Sequence, residues 1–149
     1  MGGNVSYRIG PSVRGVRGGV AAETPEAGVL ANLRYSLQLL AAAAPDQLAH
    51  FLPPDFACKA DEMALDFDNW AKSVPTYWTL TEEQAARLTE LDVYLDSVSG
   101  PQNAAFWTDD ALVSDPRWEQ VRVLAQAALI AFHWPKEVPP PEEYDEYSD

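Results

Sequence analysis

Histidine occurs twice in this chain and cysteine once, and each scarcity closes a route to function. With Cys58 alone no intrachain disulfide can form, a pattern that suits a reducing compartment. Cys58 lies in DFACKADEM, an apolar-patterned stretch with no His or Asn at a spacing that recommends a nucleophile, so a buried structural thiol is expected. His133 is expected in the last turn of a helix, where the negative end of the dipole favours its charged form. His50 is expected to cap or pack within a short apolar helix. No glycine-rich phosphate loop, nucleophile elbow, H-E-x-x-H motif or paired cysteine occurs. Nor does any apolar run approach the roughly 18 residues that a membrane-spanning helix needs, the longest being AQAALIAF. The reading is therefore a protein that is not an enzyme and carries no metal or cofactor.

Basic residues are also few. Ten Lys and Arg face 23 Asp and Glu, for a net charge of −13. The charge is uneven: residues 1–22 hold Arg8, Arg14 and Arg17 and no acid, residues 23–134 are net −11, and residues 135–149 are net −5. Such a body repels nucleic acid, whose phosphates require Lys and Arg to displace counterions, and it disfavours anionic membrane surfaces. It attracts metal cations and basic protein surfaces.

At 149 residues, 47% of them apolar and five of them Trp, the chain has material for one globular domain. Six of its eight glycines fall in residues 1–22, which also lack apolar periodicity and any apolar core of the kind a signal peptide needs; a flexible arm is expected there. The myristoylation pattern at Gly2 and the glycosylation sequon at Asn4 are read as chance matches.

Helical signals follow in series. Thr24-Pro25-Glu26 is a helix start, and Leu30, Leu33, Leu37, Leu40 and Ala44 form one apolar stripe that Pro45 is expected to close. PDQLAHFL predicts a short helix ahead of Pro53-Pro54. Phe56, Ala60, Met63, Phe67, Trp70 and Val74 alternate by four and three along a third helix, which Pro75 is expected to end. Thr81 with Gln84 is a capping box for a fourth, carrying Leu88, Leu91, Leu95 and Val98 and stopping at Gly100-Pro101 with the glycine left-handed. After a loop with Phe106 and Trp107, Thr108-Asp109-Asp110 predicts one helical turn. Asp115-Pro116 then opens the last long helix, with Val121, Leu124, Ala125, Ala128 and Phe132 inward. No segment alternates with period two. The expected fold is all-α: a compact bundle of four main helices plus one or two short ones, occupying residues 23–134 between a non-helical arm and tail.

One constellation on the helices stands out. In DEMALDFD, Glu62 and Asp66 lie a turn apart, and Asp61 and Asp68 lie seven apart on the neighbouring face; Asp92 and Asp96 repeat the one-turn spacing on the next long helix. Paired carboxylates at this spacing hold Mg²⁺ in some helical hydrolases, but those acids face into the bundle, whereas these flank the apolar stripe. Like charges a turn apart oppose helix formation by about 0.2–0.5 kcal/mol per pair, so local stability does not account for them. Solubility or attraction of a basic partner does. The chain ends in PPPEEYDEYSD, where three prolines extend a strip in which Glu142 and Glu143 attract while Tyr144 and Tyr147 offer contact area.

The leading expectation is a non-catalytic binding protein that covers a basic surface, such as that of a nuclease or toxin, through Asp61, Glu62, Asp66, Asp68, Asp92, Asp96 and the tail. In class, being small, acidic and all-α, it is similar to bacterial immunity proteins that inhibit nucleases, which implies a bacterial cytoplasmic setting. Their consecutive tyrosines after an acid are missing here, Asp92-Val93-Tyr94 being the nearest approach, so no residue is carried over. The alternatives are an adaptor subunit of a larger assembly, and a carboxylate-dependent metal hydrolase.

Overall fold

The structure, a computed structural model, describes residues 25–50 and 59–137. Thr24, Phe56, Cys58, the arm, and the tail residues Glu142, Glu143, Tyr144 and Tyr147 lie outside the described residues. Among the described residues there are six α-helices: α1 Pro25–Ala41, α2 Ala44–His50, α3 Lys59–Tyr77, α4 Glu82–Ser97, α5 Asp109–Ser114 and α6 Pro116–Ala131. A 3₁₀ segment, Pro101–Trp107, precedes α5 where only a loop was expected. Among the described residues there is no strand, and none of the helices is long and apolar enough to cross a membrane.

The four long helices alternate in direction. The Trp78 indole donates to the Glu26 carbonyl (3.1 Å), so α3 ends where α1 begins, and the Gln84 amide reaches the Ala131 carbonyl (3.3 Å), so α4 begins where α6 ends. α1 packs broadly on α3 and on α6, and α6 on α4, whereas α3 and α4 touch only slightly. Leu33, Leu37, Leu40, Met63, Phe67, Leu91, Trp118, Val121 and Ala128 fill the shared core.

Local chemistry explains the helix starts. Thr81 and Gln84 exchange the two bonds of the expected capping box, each 3.0 Å long. Thr108 caps α5 by accepting from the Ala111 amide at 3.1 Å. The α4 stripe, Leu88, Leu91, Leu95 and Val98, is buried throughout. α1 is buried over more of its circumference than a single stripe, because it is sandwiched between α3 and α6: Val29, Leu39 and Ala41 join the core, while Leu30 and Ala44 are only partly covered. On α6 Leu124, and just beyond it Phe132, are likewise partly covered, and Trp118 and Leu129 are buried in addition.

Four boundaries differ from the sequence reading. Pro45 does not end α1, which stops at Ala41; it sits in the first turn of α2, where a proline lacks no bond it would otherwise make. Pro75 lies within α3, which runs on to Tyr77, and the Trp78 amide still reaches the Val74 carbonyl at 2.9 Å. The proline is exposed, and Ala71, whose carbonyl it leaves without a helical donor, is only partly buried, so solvent has access to that carbonyl. Gly100 has φ 104° but stands two residues beyond the cap residue Val98, opening the 3₁₀ segment. His133 lies outside α6, at φ 61°, as the left-handed residue of a Schellman motif: its amide bonds Ile130 (3.0 Å) and the Trp134 amide bonds Leu129 (3.0 Å). Trp134 then stacks on Phe132, with ring centroids 4.4 Å apart.

Asp115 begins α6 by accepting from the Arg117 amide (2.9 Å), and the Arg117 guanidinium binds both its oxygens (3.1 and 2.7 Å). These bonds hold the Asp115 carboxyl below its ordinary range. A depressed folded-state value stabilises the fold above the unfolded-state value and is lost as pH falls through the folded one. We expect Asp115→Ala to cost about 1 kcal/mol at neutral pH in urea unfolding. The gap to wild type should shrink as the pH drops below about 3.9, and a gap that stays constant into strong acid would show that the carboxylate charge contributes nothing.

Candidate functional site

Where α3 and α4 fail to pack closely, a groove of about 430 Å³ opens between them. Its position follows from helix geometry. At about 100° per residue, Asp61 and Asp68 fall on the same side of α3, within about 20° of each other, while Glu62 and Asp66 project from the opposite flank of the core stripe. On α4, Asp92 and Asp96 border Leu95 on the side that faces α3. Asp61, Asp68, Asp92 and Asp96 therefore line one groove, two from each helix, and Glu62 and Asp66 do not.

The floor is apolar. Phe67, Leu95 and Trp107 line it, Phe67 fully buried and Leu95 nearly so, and Leu65 stands at its edge 54% exposed. Trp107 is fixed from behind: its indole donates to the Val98 carbonyl (3.0 Å), and its ring meets Phe106 and Trp118 edge-on at centroid distances of 4.9 and 5.8 Å. Phe106 and Trp118 stack with centroids 4.4 Å apart and planes 4° from parallel, and the Trp118 indole donates to the Phe106 carbonyl at 2.8 Å. Arg117 lies over the Phe106 ring at 5.0 Å. One wall of the groove is thus a rigid aromatic block.

Among the described residues, one ammonium answers this field. Lys72, on the same side of α3, pairs with Asp68. Its pKa is raised, chiefly by that hydrogen bond; burial, the next largest effect, opposes it, and the charges of Asp68, Asp92 and Asp96 each add a smaller upward push. Both helices therefore contribute negative potential at one point. The four carboxylates, however, do not close into a ligand set: among the described residues no group of three or more His, Cys, Asp or Glu could hold a metal ion.

The histidines behave as side chains of the fold. The Tyr35 hydroxyl is 3.1 Å from Nδ1 of His50, with the two rings 5.3 Å apart, and His133 is exposed at the end of α6. Sequence reasoning had no means of finding Trp107 and Leu95 as the groove floor, because both belong to apolar patterns that equally describe core. The angular match of Asp61, Asp68, Asp92 and Asp96 beside their stripes was the available signal.

Compared with protein-family models, with curated proteins and with solved structures, the chain has no significant match.

Proposed function

We propose that this is a non-catalytic binding protein that occludes a basic surface of a partner protein, with the α3–α4 groove as the contact. One observation carries the reading: four aspartates from two helices converge on an apolar floor that includes a held tryptophan. Facing acids oppose closure of α3 against α4, and bundle stability gives no reason for them to face each other. A Lys or Arg side chain suits the place, since its charged head meets the rim while its methylene stem lies on the accessible apolar surface of Trp107 and Leu65. A basic nuclease or toxin of a bacterial cytoplasm is the kind of partner we assign, and an acidic patch speeds encounter with it by about 10- to 1000-fold at low salt.

The test compares two charge reversals of equal size. Asp92→Lys with Asp96→Lys should lower affinity for a captured basic partner by about tenfold or more at low salt, with less loss at high salt. Glu62→Lys with Asp66→Lys, which lies off the groove, should have a small effect. Neither pair should unfold the protein, since each exchanges one like-charge pair a turn apart for another, a repulsion of about 0.2–0.5 kcal/mol in either case. Equal losses from both pairs would mean that total charge, and not the groove, is what the partner reads. No loss from either would sink the reading.

A further inference from the structure

We propose that the groove has an occupant within the chain: the arginine-bearing segment of residues 1–22 docks between α3 and α4, as an intramolecular stand-in for a basic partner. Charge complementarity selects it. Arg8, Arg14 and Arg17 stand in a segment with no acid, next to Ile9, Val13 and Val16, so cations alternate with small apolar side chains. The groove offers the converse, a carboxylate rim beside the accessible apolar surface of Trp107 and Leu65. The segment at the other end of the chain is unsuited, since residues 135–149 hold six acids and one Lys. The groove's field already holds one ammonium, that of Lys72, beside Asp68.

The chain length is sufficient. The segment joins the bundle at Pro25, and neighbouring Glu26 lies against Trp78 at the end of α3. From Trp78 back to Asp68 and Asp61 is about 15 and 25 Å along the helix, at 1.5 Å per residue. Arg17 stands eight residues before Pro25, a span of up to about 27 Å, and Arg14 eleven, up to about 38 Å at 3.3–3.6 Å per residue. Both reach the aspartates without moving the bundle. Exposed ion pairs are individually weak, so the segment would bind poorly as a free peptide. Tethering changes this, because attachment through a few residues supplies an effective concentration in the mM range, which supports partial occupancy of a weak site. A partially occupied groove remains open to a tighter basic ligand and selects against a weaker one. Docking of the segment stands apart from any partner; only that competition rests on the function proposed above.

The experiment uses the whole ¹⁵N-labelled chain, comparing wild type with Arg14→Glu/Arg17→Glu by amide and indole NMR in about 0.01 M salt, where the screening length is about 30 Å. These substitutions fall outside the described residues, and unchanged helicity by circular dichroism is expected to show that the helices remain folded. The expected result is movement of the Asp61, Asp68, Asp92 and Asp96 amides and of the Trp107 indole, independent of protein concentration. Wild type taken to about 1 M salt, where screening falls to about 3 Å, should move the same signals in the same direction. Three outcomes overturn the proposal: no movement in the groove, movement confined to residues 138–149, or movement that disappears on dilution, which would mean another copy's segment. If the segment occupies the groove half the time, the same variant should bind a basic partner about twofold more tightly. Intact partner binding with no NMR response removes this inference alone. An NMR response without partner binding removes only the proposed function.

Discussion

Replacing Arg122 by Met is expected to destabilise the protein by about 3–5 kcal/mol, among the largest effects of any single substitution in it. Arg122 is buried, and its guanidinium ties α6 to two other helices and to the turn that follows α1. It donates to the Ala42 carbonyl (3.0 Å) beyond α1, to the Gln47 side chain (2.9 Å) in α2 and to the Leu112 carbonyl (2.6 Å) in α5. Gln47, fully buried, passes the connection on by donating to the carbonyls of Leu39 and Leu40 (3.1 and 3.2 Å). Gln126 takes the Ala41 carbonyl at 3.3 Å. The carbonyls that α1 leaves open at its end are thus satisfied by other helices.

Met fills the same space but donates nothing, leaving three acceptors unmet at about 1–3 kcal/mol each, reduced where water re-enters. For a folded body of this size, about 4 °C per kcal/mol gives a fall in Tm of about 12–20 °C. Two controls separate this network from ordinary charge loss. Glu119→Ala removes the ion pair to Arg122 (3.1 Å) but should cost under about 1 kcal/mol, because that carboxylate is 69% exposed. Gln47→Leu combined with Arg122→Met should cost less than the sum of the two single changes, since each strands the other's partner. A loss below about 1 kcal/mol for Arg122→Met would show that the bonds are replaceable by water.

Trp118→Ala should cost about 3–5 kcal/mol, through lost burial and a cavity where the Phe106 stack stood. Its particular interest lies in what happens to the groove. Trp107 rests edge-on against both Trp118 and Phe106, so removing Trp118 takes away its support while leaving its own bond to Val98. Urea unfolding should report the stability loss, and the Trp107 indole resonance should broaden or shift in the variant at concentrations where it is still folded. Trp118→Phe keeps most of the stacking area and strands the Phe106 carbonyl, for a loss of about 1–3 kcal/mol. An unchanged Trp107 signal in Trp118→Ala would mean that the groove floor holds itself.

Legibility in the sequence follows the range of the interaction concerned. Thr81, Thr108 and Asp115 were readable as helix starts because a cap is satisfied within three residues, and the α4 stripe because one face of a helix repeats every three or four. Proline was over-read for the same local reason: whether Pro75 stops α3 depends on whether water can reach the carbonyl it deprives, which is a matter of which side faces out. His133 took a left-handed position usually given to glycine because Trp134 closes the motif behind it, and nothing about His announces that.

By itself the sequence determined an all-helical bundle, its principal helices, an excess of negative charge, and the placing of aspartates beside the apolar stripes. It could do so because helical period, capping and charge are written in neighbouring residues. Only the tertiary structure decided that Asp61, Asp68, Asp92 and Asp96 meet while Glu62 and Asp66 do not, that Trp107 lies beneath them, and that Arg122 closes the end of α1. Each of those depends on which helix lies beside which and at what rotation. That arrangement is set by how the whole core packs, so no short stretch of sequence contains it.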